Sequence, residues 1–186
     1  MWYPASITTP AAAEPVTLEE AKAHLRVDGS DEDALIEGVI AAARAHVEAY
    51  CAVPFATQTI EAKCDGFADF SRLPVAPVQS VGAITYLDTA GAPQTLSTDV
   101  YELRADGLEA SIVLKYGQTW PAVQPGSRIT MAAVVGYAVV PEDVKQALLL
   151  LIGHWYEHRE AVNIGNIVTA VPMAVDALLC NHRRGA

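Results

Sequence analysis

The chain is short of charge, and above all of positive charge. Charged residues make up 18% of its 186, with 12 Lys and Arg against 22 Asp and Glu, for a formal net charge of −10. A typical folded domain carries about 25% charged residues. No basic block is present, so a protein that grips nucleic acid by neutralising phosphates is excluded. A disordered chain is excluded by the 52% hydrophobic content. Crossing a bilayer takes roughly 20 consecutive apolar residues. The longest near-apolar runs, Met131–Val140 and Ala147–Gly153, are far shorter. Cysteine is scarce too: Cys51, Cys64 and Cys180 are odd in number and widely spaced, with no CxxC and no Cys/His cluster. Neither a disulfide framework nor a zinc site is indicated, and the three read as small hydrophobes in a reducing compartment. The glycines stand singly at turns and build no phosphate-cradling loop. The opening MWYPASITTPAAAEPV has no basic region and no continuous apolar run, so no signal peptide is expected and synthesis is placed in the cytoplasm.

The charge that remains is unevenly placed. Residues 1–53 hold nine acids against three bases, residues 54–140 eight against five, and residues 141–186 five against four. The acidity sits in the N-terminal third, and the chain closes on His182-Arg183-Arg184. Sparse charge on a folded chain has two explanations: an outsized core, or surface buried in an assembly.

Residues 1–16, rich in Pro, Ala and Thr, read as an extended arm. Thr17 and Glu20 have capping-box spacing and open a helix that Asp28-Gly29 is expected to end. Ser30 to Asp33 start a second helix over 31–52, with acids at the positive end of its dipole and Pro54 closing it. Leu35, Val39, Ala42, His46 and Tyr50 recur at helical spacing, with Ile36, Ile40, Ala43 and Val47 beside them. Five short strands follow, at Thr57–Cys64, Ser80–Leu87, Val100–Leu103, Ser111–Lys115 and Arg128–Val135, and predict one antiparallel sheet. Pro141 reopens helix, with Val144, Leu148, Leu151 and Trp155 as its apolar stripe, to about Glu160. A loop over Asn163–Asn166 leads to a last helix opened by Pro172. The fold class read from this order is α+β: an α-helical bundle of two N-terminal and two C-terminal helices, interrupted by an antiparallel β insertion. The expected divisions are an arm over 1–16, a helical part over 17–53 plus 141–186, and a β-rich insertion over 54–140.

One segment carries an enzymatic pattern. His154, Glu157 and His158 spell HxxEH, the inverted-zincin arrangement in which two histidines one helical turn apart share a metal and the glutamate acts as general base. Such a site needs a third protein ligand, and only Glu160 follows closely, on a different face. The alternative reading is a helix-packing face with polar ends. His24 and His46 build no nucleophile–base order. Trp2 and Tyr3 either anchor a partner or pack back on their own chain. No cofactor is implied.

The runs Thr17–Asp28, Asp31–Ile36 and Ala41–Tyr50, with Pro141–Leu148, His154–Glu160, Val171–Leu179 and Arg183-Arg184, resemble the tailed-phage head–tail connector family. These are the adaptor or head-completion proteins also found in gene transfer agents. The resemblance covers nearly the whole chain except the arm and the detail of the insertion, and it implies a structural, non-enzymatic protein. It implies a ring of about a dozen copies beneath the portal, by fold-level analogy. That ring would extend the DNA channel and dock a stopper or tail-completion protein in the virion neck, after synthesis in the host bacterial cytoplasm. DNA would pass without sequence-specific binding, and no membrane would be involved. The family's C-terminal segment engages the portal, which on this chain implies Pro172, Leu178, Leu179, Arg183 and Arg184. Asp28, Asp31, Glu32 and Asp33 are candidates to face the channel, with helix capping as their simpler role. A zinc hydrolase and a cytosolic protein-binding module remain as alternatives.

Overall fold

The computed structural model describes residues 1–158 and 173–185. The chain is mixed α+β and divides into two compact units, one of residues 1–12 and 56–138, the other of residues 13–55 and 139–186.

The first unit is built on strand alternation. Strands β1 (Ser6–Thr9), β2 (Gln58–Cys64), β3 (Val78–Leu87), β4 (Pro93–Thr95) and β7 (Ile129–Val135) form an antiparallel sheet in the order β1-β2-β7-β3-β4. Strand β7 is its centre and has period-two burial: Ile129, Met131, Ala133 and Val135 are buried while Thr130, Ala132 and Val134 are half-buried. Strands β5 (Tyr101–Asp106) and β6 (Glu109–Leu114) form a separate two-stranded hairpin. The five expected strands are therefore present, but not as one sheet. The hairpin stands apart, and two short strands join that the period could not reveal. Strand β1 falls in the segment expected to be an arm, and all four of its residues are exposed, so no buried alternation marks it.

An aromatic cluster packs into the largely aliphatic core of this unit. Phe70, fully buried, lies under the stacked ring of Trp2 at 5.7 Å and meets Trp120 edge-on at 5.8 Å. Phe67 stacks on Trp120 at 4.8 Å. Trp2 Nε1–H donates to the carbonyls of Asp69 and Arg72 at 2.9 and 2.8 Å, which satisfies its one polar atom. Trp2 thus packs on its own chain. Tyr3 does as well, donating to Asp65 at 2.9 Å beneath the Arg128 guanidinium at 3.9 Å.

The tightest point of the unit follows β7. Gly136 has φ +96°, and a Cβ there would lie 2.2 Å from the Ala56 carbonyl oxygen. Its N–H donates to Pro77 at 3.0 Å, and its carbonyl accepts from the Gln79 amide, also at 3.0 Å. Gln79 donates to the Thr57 hydroxyl at 2.9 Å, and that hydroxyl donates to the Tyr137 carbonyl at 2.9 Å.

The second unit holds α1 (Leu18–Leu25), α2 (Asp33–Cys51), α3 (Glu142–Glu157) and α4 (Met173–Leu179). The expected capping box opens α1: Thr17 Oγ accepts from the Glu20 N–H, and Glu20 accepts from the Thr17 N–H at 2.9 Å. The helix ends at Leu25, earlier than Asp28-Gly29, because Arg26 turns left-handed at φ 56° and its N–H caps the last turn. Helix α2 runs from Asp33, without a side-chain cap, and ends where Ala52 turns left-handed at φ 54°, ahead of Pro54. Of its two apolar rows, Ile36, Ile40, Ala43 and Val47 are the buried one, while Leu35 is 41% exposed. Arg44 ties the unit's edge, reaching Glu14 at 2.6 Å and Glu48 at 3.0 Å, and Glu48 accepts the Phe55 N–H at 2.8 Å. Val144, Leu148 and Leu151 of α3 are buried as expected, and Trp155 is half-buried. Helix α3 ends at Glu157 rather than near Glu160. Glu160, the Asn163–Asn166 loop and Pro172 lie outside the described residues. Among the described residues, no helix is long and apolar enough to cross a membrane.

Substituting two glycines separates close approach from mere flexibility. Gly136→Ala must strain the left-handed backbone and displace Ala56, and is expected to cost about 3 kcal/mol or more. Gly38 sits mid-helix in α2 with nothing within 4 Å of a Cβ, so Gly38→Ala is expected to add about 1 kcal/mol. Urea unfolding midpoints of the two variants check both signs.

Candidate functional site

The described C-terminal candidates, Leu178, Leu179, Arg183 and Arg184, belong to a clasp that ties the end of the chain to α2 and α3. Helix α4 is only seven residues long, too short to hold itself together. It is anchored by Val175 and Leu179, both buried. Around that anchor the polar contacts converge. The Tyr50 hydroxyl donates to Asp176. The Arg183 guanidinium lies 4.5 Å from the Tyr50 ring centroid, a cation–π contact. His182 Nε2 is 2.7 Å from Asp143 Oδ2, and its ring meets Phe55 edge-on at 6.2 Å. The Arg184 N–H donates to the Cys51 carbonyl at 2.8 Å.

Asp143 is in the first turn of α3, where the helix dipole favours a carboxylate. The hydrogen bond from His182 holds its carboxyl below the usual range. Burial pushes the Cys51 thiol up to about 11, so it stays protonated beneath the clasp. Cys64 is likewise pushed up to about 11 by burial in the β unit, and Cys180 is exposed.

The clasp sorts the candidate docking residues. Leu179 is turned inward, Leu178 is half-buried, Arg184 is half-exposed and Arg183 is exposed. Sequence reasoning missed Met173, which is 88% exposed at the start of α4. It also missed the partners Tyr50, Asp143 and Asp176. Those partners are 39 to 133 residues from the groups they bind, a separation that leaves no local signal.

The four candidate acids are not equivalent. Asp33 pairs with Lys22 at 2.5 Å, and the same ammonium donates to the Gly29 carbonyl, which draws the α1–α2 turn together. Glu32 accepts from the Tyr156 hydroxyl. Asp28 and Asp31 are exposed. An open groove of about 350 Å³ between α1 and α3 is lined by Val16, Ala23 and Leu149 and by the Glu20–Lys145 pair, whose charges are 2.8 Å apart.

The HxxEH residues end α3. The His154 and His158 rings lie 4.7 Å apart and tilted by 35°, while Glu157 is exposed. Among the described residues, no group of three His, Cys, Asp or Glu is placed to hold a metal ion.

Comparison with known proteins agrees on one architecture. The sequence model of the family described as head completion protein matches residues 14–184. A chain from the neck of an empty gene transfer agent particle, computed with C6 symmetry, superposes with a TM-score of 0.80 at 24% identity, covering 99% of this chain and 97% of that one. One from the virion of a native gene transfer agent particle gives 0.79 at 24% identity, with the same coverage. One from the neck of the native particle, computed with C12 symmetry, gives 0.75 at 22%, again over 99% and 97%. No curated protein sequence matches.

The Asp143–His182 contact makes a signed pH prediction. A carboxylate whose folded pKa is depressed stabilises above its unfolded value of about 4, and the contribution is lost as pH falls through the folded value. The side chain of Asp143 is 43% exposed, so the effect is that of a screened surface pair, below about 1 kcal/mol. Asp143→Asn is expected to lower the unfolding midpoint at neutral pH and to flatten its decline on acidification. Parallel acid limbs in the two proteins would refute the assignment.

Proposed function

The chain belongs to the head completion protein family, and on that premise we propose that it is a non-enzymatic head–tail adaptor. In this reading copies close into a ring beneath the portal of a phage or phage-like particle. The helical unit is a bundle that carries the β unit as an insertion between α2 and α3. The observation that carries the proposal is the match over residues 14–184, supported by the likeness of nearly the whole chain to neck chains of gene transfer agent particles.

The physical character of the chain suits the role. A head-to-tail ring buries two lateral surfaces on every copy, and the cores of such surfaces are poor in charge. That accounts for the 18% charged residues without an outsized core. The net charge of −10 suits a channel wall along which DNA slides, because like charges repel and no counterions are released. Asp28 and Asp31 are the wall acids in this reading, with Glu32 and Asp33 held back by Tyr156 and Lys22. In this reading Pro172, Leu178, Arg183 and Arg184 make the portal contact; among the described residues the clasp holds Leu179 inward as its anchor. A stopper or tail-completion protein docks on the opposite side of the ring, and the site of action is the virion neck.

Charge reversal at the end of the chain tests this directly. Arg183→Glu with Arg184→Glu is expected to weaken co-sedimentation with the portal by about tenfold or more. Far-ultraviolet circular dichroism should be unchanged, since the clasp's apolar anchors remain. Normal portal association by the doubly reversed chain would overturn the docking assignment.

A further inference from the structure

We propose that His154 and His158 form a two-point chelate for a late first-row divalent cation, of the Cu²⁺, Ni²⁺ or Zn²⁺ class, at the C-terminal end of α3. This stands apart from the adaptor role and needs no catalysis.

Four observations converge on it. His154 lies in the last turn of α3 and His158 is its C-cap, whose N–H donates to the His154 carbonyl at 3.1 Å, so the two imidazoles are held one turn apart on the same side. Their centroids are 4.7 Å apart, close enough for one ion to reach a nitrogen of each ring. His158 Nδ1 lies 3.0 Å from the His154 carbonyl oxygen. A carbonyl only accepts, so Nδ1 donates in this contact, and in the neutral ring that leaves the lone pair on Nε2. That is how a histidine is oriented when its other nitrogen binds metal. The site also occupies the last turn of α3, where the helix dipole is negative. Exposed Glu157 adds a carboxylate to the same turn. Finally, both rings are reachable, His154 half-buried and His158 exposed.

The ligand count separates this site from a hydrolase centre. Catalytic zinc is held by three protein ligands, and no group of three assembles among the described residues. Two imidazoles leave the other coordination positions to water. Imidazole donors favour late transition metals over Mg²⁺ and Ca²⁺, and among divalent ions affinity peaks at Cu²⁺.

Copper titration of the full chain tests the proposal by calorimetry and electron paramagnetic resonance. One Cu²⁺ per chain is expected, with the hyperfine pattern of two nitrogens. His158→Asn retains an amide N–H for the His154 carbonyl but removes the second nitrogen ligand. It should keep the fold, lose affinity by about tenfold or more, and show one nitrogen. His24→Ala should bind as the parent does. Parent-like binding by His158→Asn, or a one-nitrogen spectrum from the parent chain, would overturn the proposal.

Discussion

The β unit depends on one steric constraint. The backbone of Gly136 passes so close to the Ala56 carbonyl that its α-carbon tolerates only hydrogen there. This crossing comes directly after β7, the strand that pairs with β2 on one side and β3 on the other. Gln79 and Thr57 fasten the crossing with hydrogen bonds to Gly136 and Tyr137. The order β1-β2-β7-β3-β4 puts β7, last in sequence, at the centre. The sheet is therefore complete only when residues 129–136 arrive. Phe67, Phe70 and Trp120 then fill the space against its buried face.

What could be read in the residues was what is local. Thr17 and Glu20 declared their capping box because its two bonds span three residues. The strands Gln58–Cys64 and Ile129–Val135 announced themselves by β-branched residues bounded by turn signals. The four-residue β1 and three-residue β4 did not, being too short and too exposed to carry a period. Sheet membership was illegible for a different reason: β2 and β7 pair Gln58 with Val135, a long-range choice that strand propensity does not encode. The early end of α1 at Arg26 was illegible because nothing about arginine signals a left-handed turn. At the candidate site the same division holds. The HxxEH spacing was visible and the structure brings its two rings together, whereas the Asp143–His182 and Tyr50–Asp176 contacts had no signal to find.

The helical unit gives the charge pattern a location. Two of the acids clustered in residues 28–33 are engaged, Glu32 by Tyr156 and Asp33 by Lys22, and two are exposed. At the other end of α2 the basic chain end is folded in over Tyr50 and Cys51. Helix α2 has 19 residues, which at 1.5 Å per residue separates these regions by about 28 Å. A unit that exposes Asp28 and Asp31 near one end of a long helix and Arg183, beside the engaged Asp143 and Asp176, near the other is suited to meeting different surfaces at its two ends. That is the demand placed on a protein between a head and a tail.

The most direct measurement is electron microscopy of particles assembled with this chain deleted and again with it restored. The account predicts heads without attached tails alongside free tails in the deletion, and tailed particles on restoration. Normally tailed particles in its absence would contradict it.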